Sequence, residues 1–345
     1  MIIASPWSRG GFVNSEVFDH TSTLQFLETF LSKKTSKSIH EPNISDWRRT
    51  VCGNLTSAFR ASGDGKLPKL DLLKKQPLVE TVYNAKYKRL PTGYKALTLE
   101  EIDQFRKDPY SSAYMPKQET GIKPSCALTY QLYVDGKLNA SKKSFDIRFD
   151  SSDEIFGKAA CGSPFNVYAP GKYLQMENGQ SVFKDLRTWA FAVKPTDPLS
   201  SSWLLKDFEN NMYHLCVYGP NGFFREFKGS TADPTVDIKC EYQRSPANKR
   251  GLTGNIEIMM SNPGETPYEV VINDNVYGTG SIKKALHPVS GDLRNLIVPV
   301  DCSRQFGWYD FTVKIAGDDS FEKRYAGKVE TGKAGYSDPY MGRIV

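Results

Sequence analysis

The chain has 345 residues, 39% hydrophobic and 24% charged, enough for two or three domains with cores of their own. No apolar run approaches the roughly 20 residues that span a bilayer as a helix, and the opening, Met1 to Ala4 broken by Pro6, lacks the basic flank and apolar length of a signal peptide. The formal charge of +6 is uneven, with 18 Lys and Arg against 13 Asp and Glu in residues 1–120, and most of the excess between Lys66 and Lys95. Such a stretch could attract phosphates or an anionic membrane surface but reads better as a solvated linker flank, and without interleaved aromatics it is no stacking platform, so no nucleic-acid partner is expected.

In chain order, residues 2–5 read as a short buried strand ended by Pro6, followed by the flexible loop Arg9-Gly10-Gly11. Asp19-His20-Thr21-Ser22 then precedes Leu24, Phe26, Leu27, Phe30 and Leu31, which share one helical face. Asp19 or Thr21 suits an N-cap, and Lys33 and Lys34 stand where the helix dipole favours cations. This strand–loop–helix unit reads as the edge piece of an α/β fold, and one strand with one helix cannot bury its apolar faces alone. Residues 34–122 read as a connector that wraps over neighbouring domains. It holds a short helix around Trp47 to Phe59, a Lys-rich run from Gly63 to Pro91 with Pro68, Pro77 and Pro91 as breakers, and a helix over Leu99 to Arg106.

From about residue 125 the two-residue alternation of β-strands takes over. Tyr130, Leu132 and Val134 lead to Asp135-Gly136, a hairpin-turn signal, and Phe145, Ile147 and Phe149 alternate again. Tyr213, Leu215 and Val217 precede a Gly-Pro-Asn-Gly turn and the aromatic run Phe223 to Phe227. This plan returns about 100 residues later. Tyr213 to Gly229 lines up with Tyr309 to Gly327, and Ser163-Pro-Phe-Asn-Val167 with Thr266-Pro-Tyr-Glu-Val270. The fold class is therefore mainly β, two tandem β-sandwich domains behind a strand–helix unit and a connector. The boundaries read as 1–33, 34–122, 123–235, 236–335 and a tail at 336–345.

Little in this pattern carries chemistry. Cys52, Cys126, Cys161, Cys216, Cys240 and Cys302 form no CxxC and read as scattered buried thiols. The four histidines, His20, His40, His214 and His287, offer no zinc-finger spacing, so no metal site is expected from this chain. No GxSxG or phosphate-cradling glycine loop is present. Asn273-Asp274-Asn275 and Asp318-Asp319 could take calcium in a loop but read better as turn chemistry. Phe223, Phe224 and Trp308 could touch a lipid surface or a sugar, yet with Trp189 and His214 they read as core positions of strands. Asp19-His20 remains the strongest candidate, an Asp that could orient an imidazole at a helix start, against the plainer reading of Asp19 and Thr21 as caps.

The residues Ile3 to Glu28, IASPWSRGGFVNSEVFDHTSTLQFLE, resemble the last segment of the catalytic domain of bacterial phosphocholine-preferring phospholipases C, hemolytic and non-hemolytic, in the phosphoesterase family. Glu41 to Phe59 is similar to the stretch that follows there, and the tandem β modules resemble the paired C-terminal domains, with Tyr213–Gly229 and Gly307–Gly327 as signature strands. The resemblance implies an alkaline-phosphatase-like catalytic domain using a Ser or Thr nucleophile and a metal ion held by acidic, Asn and His residues. Such a domain cleaves phosphatidylcholine or sphingomyelin to diacylglycerol or ceramide and phosphocholine. No position here matches the nucleophile or metal motifs, so residues 1–33 read as a C-terminal remnant of that domain, with no cofactor in this chain and no activity from it alone. Asp19 and His20 match the family's Asp-His-Thr-Ser and are active-site-adjacent at most. The partners implied are phospholipid or a membrane surface and the catalytic half. Relatives are exported, which this chain's opening does not reproduce. The competing class is a non-enzymatic tandem β module that grips lipid or carbohydrate.

Overall fold

A computed structural model describes residues 1–60, 74–90, 92–108, 111, 112, 117, 120–288 and 296–341. The breaker Pro68 and much of the Lys-rich run lie outside them, as does Pro91. Among the described residues no helix is long and apolar enough to cross a membrane.

The expected strand at residues 2–5 does not form. Met1 and Ile2 are 82% and 94% exposed, and the chain turns at once, with Ser8 Oγ donating to the Ile3 carbonyl at 2.9 Å. A strand needs an edge to pair with, and in this segment only Val13 finds one, in an isolated parallel bridge with Ser125. The helix does form, as α1 (His20–Thr35). Asp19 caps it reciprocally: its side chain accepts from the start of the helix, and Ser22 Oγ accepts from the Asp19 amide at 3.1 Å.

The helix expected over Trp47 to Phe59 is shorter, α2 (Asp46–Val51), followed by a separate turn of 3₁₀ helix at Thr56–Ala58. The helix ends at Val51, Cys52 is extended, and at Gly53 the chain passes so near the Glu16 carboxylate that a Cβ would meet it at 1.9 Å. Two more helices follow, α3 (Lys75–Ala85) and α4 (Leu99–Lys107), the latter closed by a Thr98/Glu101 capping box. Pro77 does not break α3, because it stands in the first turn, where its missing N–H has no partner to lose. Neither helix buries a residue fully, and α3 is exposed throughout.

The remaining chain is β throughout. In order come β1 (Pro124–Ser125), β2 (Leu132–Leu138), β3 (Ser144–Ser151), β4 (Ser163–Glu177), β5 (Gln180–Val193), β6 (Leu199–Leu204), β7 (Tyr213–Tyr218) and β8 (Phe224–Gly229). The second series is β9 (Asp237–Ser245), β10 (Asn248–Ser261), β11 (Tyr268–Asp274), β12 (Ser281–Leu286), β13 (Leu296–Val300), β14 (Trp308–Ile315), β15 (Asp318–Lys328) and β16 (Gly335–Tyr336). Asp135-Gly136 is not the turn its dipeptide suggests. It lies inside β2, where a Cβ on Gly136 would meet the Phe145 ring at 2.6 Å, and the chain reverses instead after Asn139, with Lys142 at φ 54°.

The two modules are one construction used twice. The sheet β2-β3-β6 packs on β4, β5, β7 and β8 around Phe145, Phe149, Phe165, Leu215 and Phe227, and β9, β10 and β13 pack on β11, β12, β14 and β15 around Ile256, Ile258, Val313 and Tyr325. The tandem sandwiches are not separate beads. β8 pairs antiparallel with β15, Arg225 opposite Tyr325, so the inner sheets fuse into one of eight strands, β12-β11-β14-β15-β8-β7-β4-β5. The repeated segments Tyr213–Gly229 and Tyr309–Gly327 are the β7–β8 and β14–β15 hairpins, whose last strands meet at this seam. Arg225 is buried there at 1% exposure, donating to the Phe224 and Ala326 carbonyls at 2.8 and 2.9 Å and to Tyr309 Oη at 3.1 Å. Beyond the second module, β16 pairs with β1.

Candidate functional site

Three places gather chemistry, and the first is the helix start. Asp19 Oδ1 accepts from the Thr21 amide at 2.8 Å and the Thr21 hydroxyl at 2.6 Å, while Oδ2 accepts from Arg48 Nε of α2 at 2.9 Å. Burial works against its charge, but the Thr21 hydrogen bonds, with His20 and Arg48 nearby, hold the carboxyl below its usual range. His20 points outward, its side chain 76% exposed and 4.0 Å from Asp19. A second pair fastens α1 further along, Arg49 meeting Glu28 with both arms at 2.9 and 3.0 Å.

These bonds turn the polar stripe of α1 inward, so Thr21, Ser22 and Gln25 are the buried residues. The apolar stripe faces out, with Leu24, Leu27 and Phe30 at 42%, 44% and 50% exposure. The segment is also stitched to the first β module. The Val13 amide donates to the Pro124 carbonyl and the Cys126 amide to the Val13 carbonyl, both at 2.8 Å, and the Val17 amide donates to Tyr130 Oη at 3.1 Å. Between segment and module lies an open depression of about 860 Å³, with Glu16, Cys52, Tyr130 and Cys161 on its wall. Burial raises the Glu16 carboxyl above its usual range, against hydrogen bonds from Ser57 and Cys161.

The second place is the cleft between the modules, about 600 Å³, walled by Asp135, Asp146 and Arg148 on one side and Asp237, Lys239 and Met260 on the other. Lys323 of β15 forms its floor and donates to the Gly136 carbonyl of β2 at 2.8 Å. Burial pulls its ammonium down to about 8, against the attraction of Asp135, Asp237 and Asp233. Burial likewise raises Asp135.

The third is the outer face of the eight-stranded sheet, where His214, Cys216 and Glu226 converge. Here the structure corrects the sequence reading of His214 as a core residue, since its neighbours Tyr213 and Leu215 take the inward positions. Phe224, half-buried on the same outer face as Glu226, is corrected likewise, while Asp274 and Asp318 keep their plainer reading as turn residues. Asp274 closes a turn, its carboxylate accepting from the Val276, Tyr277 and Thr279 amides, and Asp318 does the same for Ser320 and Phe321. Phe223 and Trp308 are 3% and 7% exposed, and all six cysteines are free thiols.

Residues 124–230 match the family model described as bacterial phospholipase C, C-terminal domain, and residues 1–32 match the phosphoesterase family. The chain is also 33% identical over 99% of its length to a non-hemolytic phospholipase C of Pseudomonas aeruginosa, of which it covers 43%. What the chain resembles is the C-terminal part of bacterial phospholipase C. A non-hemolytic phospholipase C of Burkholderia pseudomallei is 33% identical (99% of this chain, 42% of that protein), and a hemolytic phospholipase C of Pseudomonas aeruginosa is 31% identical (99% and 44%). The chain thus spans about two fifths of the length of these phospholipases C. The phosphoesterase match ends within α1, and the C-terminal-domain match covers the first β module, so the Val13–Ser125 bridge joins the two matched regions.

Proposed function

We propose that the chain serves as the C-terminal part of a phospholipase C-type phosphodiesterase, acting on phosphatidylcholine or sphingomyelin. In this reading residues 1–33 close the catalytic domain, and the β modules (residues 123–235 and 236–335) hold that edge and meet the phospholipid surface. The observation that carries it is the join. The phosphoesterase-matched segment is stitched by Val13 and Val17 to the phospholipase C-matched module, and its apolar stripe Leu24, Leu27 and Phe30 is left facing out. The occupant proposed for that stripe is the α/β catalytic domain, whose last helix α1 resembles.

Family resemblance brings a metal ion with it, and Asp19 does not fit one. Both its oxygens are committed, one to the helix cap and one to the Arg48 guanidinium, and among the described residues it joins no group of three His, Cys, Asp or Glu side chains. Asp19 and His20 therefore act here as positioning residues beside the catalytic domain, and no step through a metal is assigned to them.

The test is to assay p-nitrophenylphosphorylcholine hydrolysis by the purified chain, alone and mixed with the separately expressed catalytic portion of the Pseudomonas aeruginosa non-hemolytic relative. No turnover alone, association with that portion, and loss of association in Leu24→Asp/Leu27→Asp are expected. Turnover by the chain alone would overturn the division of labour, and failure to associate would overturn the docking of α1. The second reading, a binding module for lipid or carbohydrate, rests on the inter-module cleft. It predicts that residues 123–345 bind liposomes or glycans without any catalytic portion.

A further inference from the structure

Strand geometry brings three metal-binding side chains to one point on the outer face of the shared sheet. Because β7 sends Tyr213, Leu215 and Val217 into the core, His214 and Cys216 must stand together on the other face. β8 pairs in the register that sets Glu226 directly opposite Cys216. His214 Nε2 lies 2.7 Å from Glu226 Oε1 and 3.5 Å from Cys216 Sγ, and that sulfur lies 3.9 Å from the same oxygen. Cys216 and Glu226 are buried, at 7% and 8% exposure, and the His214 side chain is about a third exposed.

We propose that His214, Cys216 and Glu226 form a three-ligand site for zinc or a cation of zinc's chemical class, with a fourth position open to water. In a tetrahedral zinc site, with bonds of about 2.3 Å to sulfur and about 2.0–2.1 Å to nitrogen and oxygen, the ligand atoms stand roughly 3.3–3.6 Å apart. The sulfur–nitrogen distance already meets this, and the sulfur–oxygen distance exceeds it by only about 0.3 Å. Only the His214–Glu226 pair is too close, because a proton bridges it in place of a metal, and rotation of the partly exposed imidazole opens it. The mixed nitrogen, sulfur and oxygen set favours zinc over calcium or magnesium, which take oxygen ligands.

The competing account is an ordinary ion-pair ladder, since Lys228 Nζ also lies 2.9 Å from Glu226 Oε1. That account has no use for the thiol. Lys228 reaches Glu322 at the same 2.9 Å and keeps that partner when a metal takes Glu226. Binding breaks the Cys216 S–H bond and releases its proton to solvent. The sulfur–metal bond forms, and the proton that bridged His214 Nε2 to Glu226 passes through solvent to Nδ1, so the neutral imidazole offers Nε2 to the metal. Thiolate and carboxylate together then neutralise the divalent cation. Among the described residues no other group of His, Cys, Asp and Glu converges in this way. The ligands stand on central strands, so little ordering remains to be done on binding.

The experiment is a cobalt(II) titration of the purified, reduced chain. One cobalt per chain is expected, with the visible bands of a tetrahedral site and a near-ultraviolet thiolate-to-cobalt charge-transfer band. Zinc should displace it and magnesium should not. Cys216→Ser should abolish the charge-transfer band. His214→Gln, a partly exposed change that leaves the core alone, should abolish the tetrahedral bands. Zinc should raise the melting temperature of the wild type and leave both variants unmoved. Absence of the charge-transfer band in the wild type, or its survival in Cys216→Ser, would overturn the site.

Discussion

Replacing Lys323 by Met tests the seam between the modules through its dependence on pH. Lys323 is 3% exposed, and burial lowers its ammonium from 10.5 to about 8. A lysine with a lower pKa in the folded state opposes folding wherever the unfolded chain still holds the proton, by roughly 3 kcal/mol at about pH 7. That opposition fades as pH rises through 8 towards 10.5, and at about pH 9.5 roughly 1.4 kcal/mol of it remains, a relief of about 2 kcal/mol. Lys323→Met removes this titration and leaves the Gly136 carbonyl without its donor, which costs about 1–3 kcal/mol. Near neutral pH the two effects offset, and the variant should lie within about 2 kcal/mol of the wild type. The assay is urea unfolding followed by tryptophan fluorescence, under reducing conditions, from about pH 7 to about pH 9.5. Both proteins should lose stability over this range from the buried thiols, since Cys240 and Cys302, pushed up to about 12, keep protons that the unfolded chain sheds. That loss is common to both and cancels in the difference. The wild type should gain about 2 kcal/mol relative to Lys323→Met across the range. A difference that stays constant with pH would refute the account of a charged lysine held in a desolvated seam.

Other outcomes follow from the same contacts. Asp19→Ala removes the cap of α1 and its link to Arg48, and should cost about 1–2 kcal/mol with faster amide exchange over residues 20–35; Asp19→Asn keeps the cap and should cost well under about 1 kcal/mol. Glu28 is held down to about 2, chiefly by hydrogen bonds from Arg49, so its contribution is present above about pH 4.5 and is lost as pH falls towards 2. Glu28→Gln should flatten the acid-side loss of exchange protection in α1 and α2. Gly162→Ala drives a Cβ to 2.3 Å from the Thr50 carbonyl, and should loosen α2 from the first module at a cost on the order of 2 kcal/mol, visible as selective exchange over residues 46–53.

Much of the fold was legible in local pattern. The α1 cap was readable from Asp19-His20-Thr21-Ser22, the inward faces of β2, β3 and β7 from two-residue alternation, and the hairpin repeat from Tyr213–Gly229 against Tyr309–Gly327. The metal-binding trio was half legible, since inward Leu215 and Val217 already commit His214 and Cys216 to one outward face. Three readings failed where a local signal met a distant partner. Residues 2–5 look like a strand but find no edge, Asp135-Gly136 looks like a turn but makes room for Phe145, and the helix after Trp47 stops at Val51, just before the chain passes Glu16 at Gly53.

The sequence by itself determined α1 with its cap and which side chains share a face of β2, β3 and β7, because capping and strand alternation act over four residues or fewer. It also carried the likeness to phospholipase C. Tertiary structure alone decided that the repeats fuse through β8 and β15, that α1 turns its polar stripe inward, that Lys323 reaches Gly136, and that Glu226 stands across from Cys216. The seam and the Lys323 contact depend on packing between segments up to 187 residues apart, which no short window contains; α1 is turned by its bonds to Arg48 and Arg49 of α2, and Glu226 is set across from Cys216 by the register of the β7–β8 hairpin.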